Sequence, residues 1–162
     1  MYPPPGLLQE PLRYGDRCLG IIRSQILVAV RRNDLKQAGV WYMAAYRKLS
    51  IKGRAIAMIA TLAALRRASI LSIGSEDVMV KKKQIKLVVR HFKYLDSAET
   101  ASCCISCNCS QGNDECCLIC NRELAEAVAE LFPIKATELA TVCEALGISS
   151  HGFRRTMAVV LG

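Results

Sequence analysis

Histidine is nearly absent from this sequence: His91 and His151 are the only two in 162 residues. Neither sits in a nucleophile motif, and neither has metal-ligand spacing to the cysteines. A catalytic cysteine needs an ordering base, so thiol catalysis is disfavoured. A P-loop, a dinucleotide-binding glycine fingerprint and a paired-carboxylate motif are missing too. Long apolar runs are also lacking. The most apolar segment, Ala55 to Leu65, ends at Arg66-Arg67, well short of the roughly 18–20 residues a membrane span requires. At the N-terminus, Met1-Tyr2-Pro3-Pro4-Pro5-Gly6 has no charged region followed by an apolar stretch, so a secretory signal is not expected there. These absences lead us to expect a non-enzyme without integral membrane association, cytoplasmic or nuclear and not secreted.

What is present is unevenly distributed. The net charge of +8 divides into +13 over residues 1–95, with 18 Lys or Arg against 5 acids, and −5 over residues 96–162, with 4 against 9. A basic body joined to an acidic segment points to a polyanionic partner for the first part. The bland alternative is a solubility surface. Hydrophobic residues make up 52% of the chain, enough for a core at this length.

Periodicity predicts a mainly α fold: a helical hairpin and further helices, with a small cysteine-ligated zinc module inserted before the C-terminal helices. Residues 1–14, with four prolines and Gly6, read as a flexible arm. Residues 15–95 read as a basic helical domain, 96–132 as the cysteine-rich module and 133–162 as a C-terminal helical hairpin. Asp16 is positioned to cap a first helix to about Arg32, and Asn33-Asp34 to stop it and start a second from Leu35 to about Leu49. Gly53 reads as punctuation before a third helix, Arg54 to Ser69, apolar nearly all round and therefore buried. From Val78 to Leu95, Ile85, Val88, Val89, Phe92 and Leu95 fit the helical period. The β-branched content also permits a strand over 78–90; the helix is the preferred reading. Short helices are expected over Arg122–Phe132, over Thr137–Leu146 with Gly147 as its cap, and from Ser149 or Ser150 to Val160.

Seven of the nine cysteines fall in eighteen residues: Cys103, Cys104, Cys107, Cys109, Cys116, Cys117 and Cys120. Without secretion, such clustering reads as metal ligation. Cys103-Cys104-Ile105-Ser106-Cys107 is echoed by Cys116-Cys117-Leu118-Ile119-Cys120. The simplest decomposition is two C-x₂-C pairs, Cys104 with Cys107 and Cys117 with Cys120. Each turn aims two thiolates at one ion, and two turns complete a tetrahedral structural zinc site. Cys120 directly precedes a predicted helix, whose dipole favours a thiolate. Cys103, Cys109 and Cys116 remain alternative ligands, or partners in a second ion or an iron–sulfur cluster.

Three further stretches carry candidate contacts. Lys81, Lys82, Lys83, Lys86, Arg90 and Lys93 form a basic run with His91, Phe92 and Tyr94 interleaved. It suits phosphate contacts and base stacking, or else is a solvated face. Lys81–Lys83 also fits a weak nuclear import signal. Trp41, Tyr42 and Tyr46 offer a partner-binding face on the residue 16–49 hairpin, the basis of an alternative reading as a protein–protein adaptor. Cys143 to Met157 resembles a helix-turn-helix, the basis of a DNA-binding alternative, although an ordinary helical hairpin fits it better.

Arg31, Asp34, Ala38 and Tyr42, followed by the Cys103–Cys107 group, resemble the central region of the geminivirus precoat silencing suppressors. There an Arg-x-x-Asp, Ala, Tyr pattern precedes a compact cysteine cluster. This chain is longer, its cysteine unit is doubled, and some fifty residues intervene between Leu49, where the similar segment ends, and Cys103. More broadly, a short basic chain with one cysteine-rich knot is similar to the cysteine-rich accessory proteins of plant RNA viruses. The resemblance implies zinc and RNA binding, suppression of RNA silencing or host defence, and a possible host-protein partner. Asp34, Ala38, Tyr42 and Ala45 also look like one hairpin of a tetratricopeptide-type repeat, but no second copy follows.

Overall fold

The structure is a computed structural model, and it describes residues 24–63, 65–89, 101–107 and 115–147. Residues 24–31 are helical (α1). Asn33, in the left-handed region at φ 58°, turns the chain, and the Asp34 side chain caps α2 (Leu35–Tyr46) by accepting from the Gln37 N–H at 3.2 Å. Ser50 does the same for α3 (Ile51–Ala63), where its hydroxyl accepts from the Gly53 N–H at 3.3 Å. Gly53 is therefore inside the first turn of α3, not a break before it. The expected single helix to Ser69 is two: α3 stops at Ala63, Arg66 is extended, and α4 (Arg67–Leu71) follows.

The expected helix over Val78–Leu95 is corrected by the strands found there. A 3-10 turn (Ser75–Asp77) leads into β1 (Val78–Val80), which pairs antiparallel with β2 (Gln84–Val89); β2 pairs antiparallel with β3 (Ala101–Ser106). The sheet order is β1-β2-β3. Ile85, Leu87 and Val89 are buried, with Gln84, Lys86 and Val88 between them only half-buried. That period of two is what a half-covered sheet imposes. Helical spacing had grouped Val88 with Ile85 and Val89, but the β-branched residues favour the pleat, and β3 supplies the partner. The 91–95 part lies outside the described residues.

Two helices complete the described chain. Asn121 caps α5 (Arg122–Ala129), accepting from the Leu124 N–H at 3.1 Å. α6 (Ala136–Leu146) ends at Gly147, which takes the left-handed conformation at φ 67°, as its expected role requires. The last expected helix lies outside the described residues. α3, buried along most of its length, packs against α5, α6 and β3, while α2 packs against α6. One continuous apolar core runs from Ile26 through Tyr42, Ile59, Leu87, Leu118 and Leu146. The described architecture is thus helices around α3, with a small antiparallel sheet at one side. No helix among the described residues is long and apolar enough to cross a membrane.

Candidate metal centre

Two elements bring thiols together. Cys107 is the first residue after β3, and Cys117 and Cys120 lie in the turn that precedes α5. Three links fix that turn. Buried Leu118 inserts into the core, the Asn121 N–H donates to the Cys117 carbonyl at 3.1 Å, and the Cys120 N–H points at Cys117 Sγ at 3.3 Å. The N-terminus of α5 follows just beyond Cys120.

Cys107 Sγ stands 3.1 Å from Cys120 Sγ and 3.8 Å from Cys117 Sγ. All three sulfurs lie within 4.8 Å of one another. Thiolates held about 2.3 Å from one zinc in a tetrahedron stand about 3.8 Å apart. The Cys107–Cys117 edge already has that length, and the Cys107–Cys120 edge needs only a small opening. The three side chains fit a shared metal ion.

The other described cysteines face elsewhere. Cys104 was expected among the ligands, but it is not a member of this group. It sits on the exposed face of β3 opposite Lys86, because strand alternation turns consecutive residues to opposite faces. Cys103 turns inward, its Sγ 4.0 Å from the Ala63 carbonyl of α3. Cys116 packs against α2, its Sγ 3.8 Å from Met43 Sδ. Burial raises both thiols above the ordinary range and pushes Cys143, inside α6, up to about 11. Protonated, packed thiols are poor ligands. Cys109 lies outside the described residues.

A clamp that sequence reasoning missed holds the turn to the helical hairpin. Arg47 grips Glu115 with two hydrogen bonds, Nε to Oε1 at 2.8 Å and a terminal nitrogen to Oε2 at 3.1 Å. The Tyr46 hydroxyl donates to the Glu115 carbonyl at 3.2 Å. Arg54 stacks over the Tyr46 ring at 5.5 Å and donates to the Tyr46 and Arg47 carbonyls at 3.3 and 2.9 Å, so the C-terminal end of α2 is capped from α3. Arg47 holds the Glu115 carboxyl below its usual range. The only hint in the sequence was an acid directly before the second cysteine pair.

The expected partner-binding face is corrected. Tyr42 and Tyr46 are fully buried, stacked with ring centroids 6.4 Å apart, so they build the core and are closed to a partner. Trp41 is half-buried and packed against the same core. Lys81, Lys82 and Lys83 are exposed at the tip of the β1–β2 hairpin, where the Lys81 N–H donates to the Gln84 carbonyl at 2.8 Å. Lys86 stands on the outer face of β2. Arg90, Lys93, His91, His151 and the stretch from Ile148 to Met157 lie outside the described residues. No family model matches the chain, and no curated protein or solved structure shows similarity to it.

Proposed function

We propose that this protein is a zinc-stabilised, basic, RNA-binding regulatory protein. The biological setting is the one implied by its resemblance to plant-virus accessory proteins: suppression of RNA silencing or host defence. The observation that carries the reading is the convergence of Cys107, Cys117 and Cys120 within 4.8 Å. Thiolate sulfur favours zinc among the common divalent ions. The metal's role is structural: it joins the end of β3 to the start of α5, two segments otherwise linked through residues 108–114.

The RNA part of the reading rests on charge. Three exposed lysines at a hairpin tip, with Lys86 near them, act as point charges toward phosphate and carry little base preference. The burial of Tyr42 and Tyr46 takes two of the three aromatics of the adaptor alternative out of a partner's reach and leaves half-buried Trp41. Elemental analysis of reduced, dialysed protein is expected to give about one zinc per chain. A shift assay with single-stranded RNA should show affinity falling linearly in log salt, with a slope of roughly 0.7 per phosphate contact. Protein free of metal with seven reactive thiols in the cluster segment would overturn the first part. Affinity indifferent to salt would overturn the second.

A further inference from the structure

Thiols gathered to hold an ion are also open to oxidation when two of them stand close enough to bond. Cys107 Sγ is 3.1 Å from Cys120 Sγ and 3.8 Å from Cys117 Sγ. A disulfide brings two sulfurs to about 2.05 Å, so the first pair must close by about 1 Å and the second by about 1.8 Å. Accessibility selects the same pair. Cys107 and Cys120 are exposed, whereas Cys117 is half-buried. The neighbouring thiols point elsewhere. Cys103 Sγ faces the Ala63 carbonyl, Cys116 Sγ faces Met43, and Cys104 stands on the outer face of the sheet.

The frame around the pair is built without an ion. β3 is held by its ladder to β2, which runs to the Gln84–Ser106 step, and Cys107 is the next residue. The turn that carries Cys120 is pinned by Leu118 in the core and by the Arg47–Glu115 clamp. Cys120 directly precedes Asn121, the cap of α5. The two sulfurs therefore stay within reach of each other when an ion leaves.

We propose that Cys107 and Cys120 form a peroxide-sensitive modification site, at which oxidation to a disulfide expels the metal ion and leaves a covalent bond in its place. This rests on the zinc reading above and adds the control of that site. One of the two thiolates attacks an oxygen of hydrogen peroxide. The O–O bond breaks, hydroxide leaves, and the sulfur becomes a sulfenic acid. The second thiolate attacks that sulfur, the S–O bond breaks, and a second hydroxide leaves. Two protons from solvent turn both hydroxides into water. The two thiolates have lost two electrons and the peroxide has gained them. Metal ligation requires thiolates, so Cys117 alone of the three can still bind, and the ion departs. The new bond ties the end of β3 to the turn before α5, the same two segments that the ion joins.

The test uses the zinc-loaded full chain, freed of reductant, with a chromogenic chelator too weak to strip it unaided. One equivalent of hydrogen peroxide should release about one zinc per chain and form one disulfide. A phosphine reductant with added zinc should reverse both. Cleavage before Asp114 parts Cys107 from Cys117 and Cys120 unless a bond holds the pieces together, and fragment sequencing names the partner. Reduced, metal-free Cys117→Ser should still form the bond with peroxide, and Cys120→Ser should lose it. Equal rates in these two variants overturn the pairing, as does a disulfide mapped elsewhere. Zinc that stays bound through excess peroxide overturns the site and leaves the zinc reading intact. A chain that never holds zinc yet forms the Cys107–Cys120 bond overturns the zinc reading, and the expulsion with it, while the pairing stands. Loss of the helical circular dichroism on oxidation overturns the bond as a substitute for the ion.

Discussion

Among neighbouring cysteines, one residue of sequence separates a ligand candidate from a packing thiol. Cys116 is buried against Met43 while Cys117 joins the sulfur group. Cys103 faces α3 while Cys104 faces outward. Cys107 is within 3.8 Å of both other thiols of the group, so Cys107→Ser should release most of the metal, whereas Cys104→Ser and Cys143→Ser should retain it. Elemental analysis of the three purified variants checks this, and metal loss in Cys104→Ser would restore it to the ligand set. A second residue-level expectation concerns Tyr42, whose buried hydroxyl is without a hydrogen-bond partner among the described residues. The nearby Thr61 hydroxyl already donates to the Ala57 carbonyl at 2.7 Å. Burial raises the Tyr42 phenol far above its ordinary value, against the lowering effect of the Thr61 hydroxyl beside it, so it stays neutral. A buried unsatisfied polar group costs about 1–3 kcal/mol. Tyr42→Phe should therefore be as stable as the parent or more so in urea unfolding, and a clear loss would show that the hydroxyl has a partner.

At the scale of elements, the 84–89 segment separates strand from helix by mutation. In the strand, Leu87 is fully buried opposite Cys103, and Val88 lies on the outer face opposite Ser102. Leu87→Ala should cost about 2–4 kcal/mol, and Val88→Thr no more than about 0.5 kcal/mol. Helical spacing makes the reverse assignment, with Val88 inside. Chemical denaturation of both variants decides between them. The same comparison explains why the segment misleads by pattern alone. Ile85, Val88, Val89 and Phe92 satisfy a helical stripe, while Ile85, Leu87 and Val89 satisfy a pleat. Six residues are too few for periodicity to choose. The start of α2 was easier to read, because Asp34 caps it with a side chain that acts locally, whereas the start of α3 was placed at Arg54 and its Ser50 cap went unread.

Across the whole molecule, α3 and α6 are joined by an ion pair between Lys52 and Glu138. Burial pushes the Glu138 carboxyl upward, but Lys52 and the Lys135 N–H, 3.0 Å away, together outweigh it and leave the group below its ordinary value. A carboxyl lowered on folding lends stability that is complete above its unfolded value, about pH 4.3. That stability is lost as the pH falls through the folded value. Thermal melts should thus show stability declining below about pH 4.3, and Glu138→Gln should flatten that decline while lowering stability at neutral pH. An unchanged acid limb in Glu138→Gln would place the acid sensitivity elsewhere, with the Arg47–Glu115 clamp the next candidate, since Glu115 is lowered too.

The sequence by itself determined what depends on neighbours along the chain: the helix starts at Asp34, the left-handed stop at Gly147, the apolar α3 and the crowding of cysteines around residues 103–120. Caps, turns and local thiol spacing act within a few residues, so their physics is written in consecutive letters. Only the tertiary structure decided which thiols meet. Cys107 reaches Cys117 and Cys120 because β3 ends where the pre-α5 turn is pinned by Leu118 and by the Arg47–Glu115 clamp, and the second of these pins spans 68 residues. It also decided that β2 is a strand, since its hydrogen bonds go to β1 and β3. And it turned Tyr42 and Tyr46 inward, because burying two large rings against α3 and the pre-α5 turn removes more apolar surface from water than leaving them for a partner.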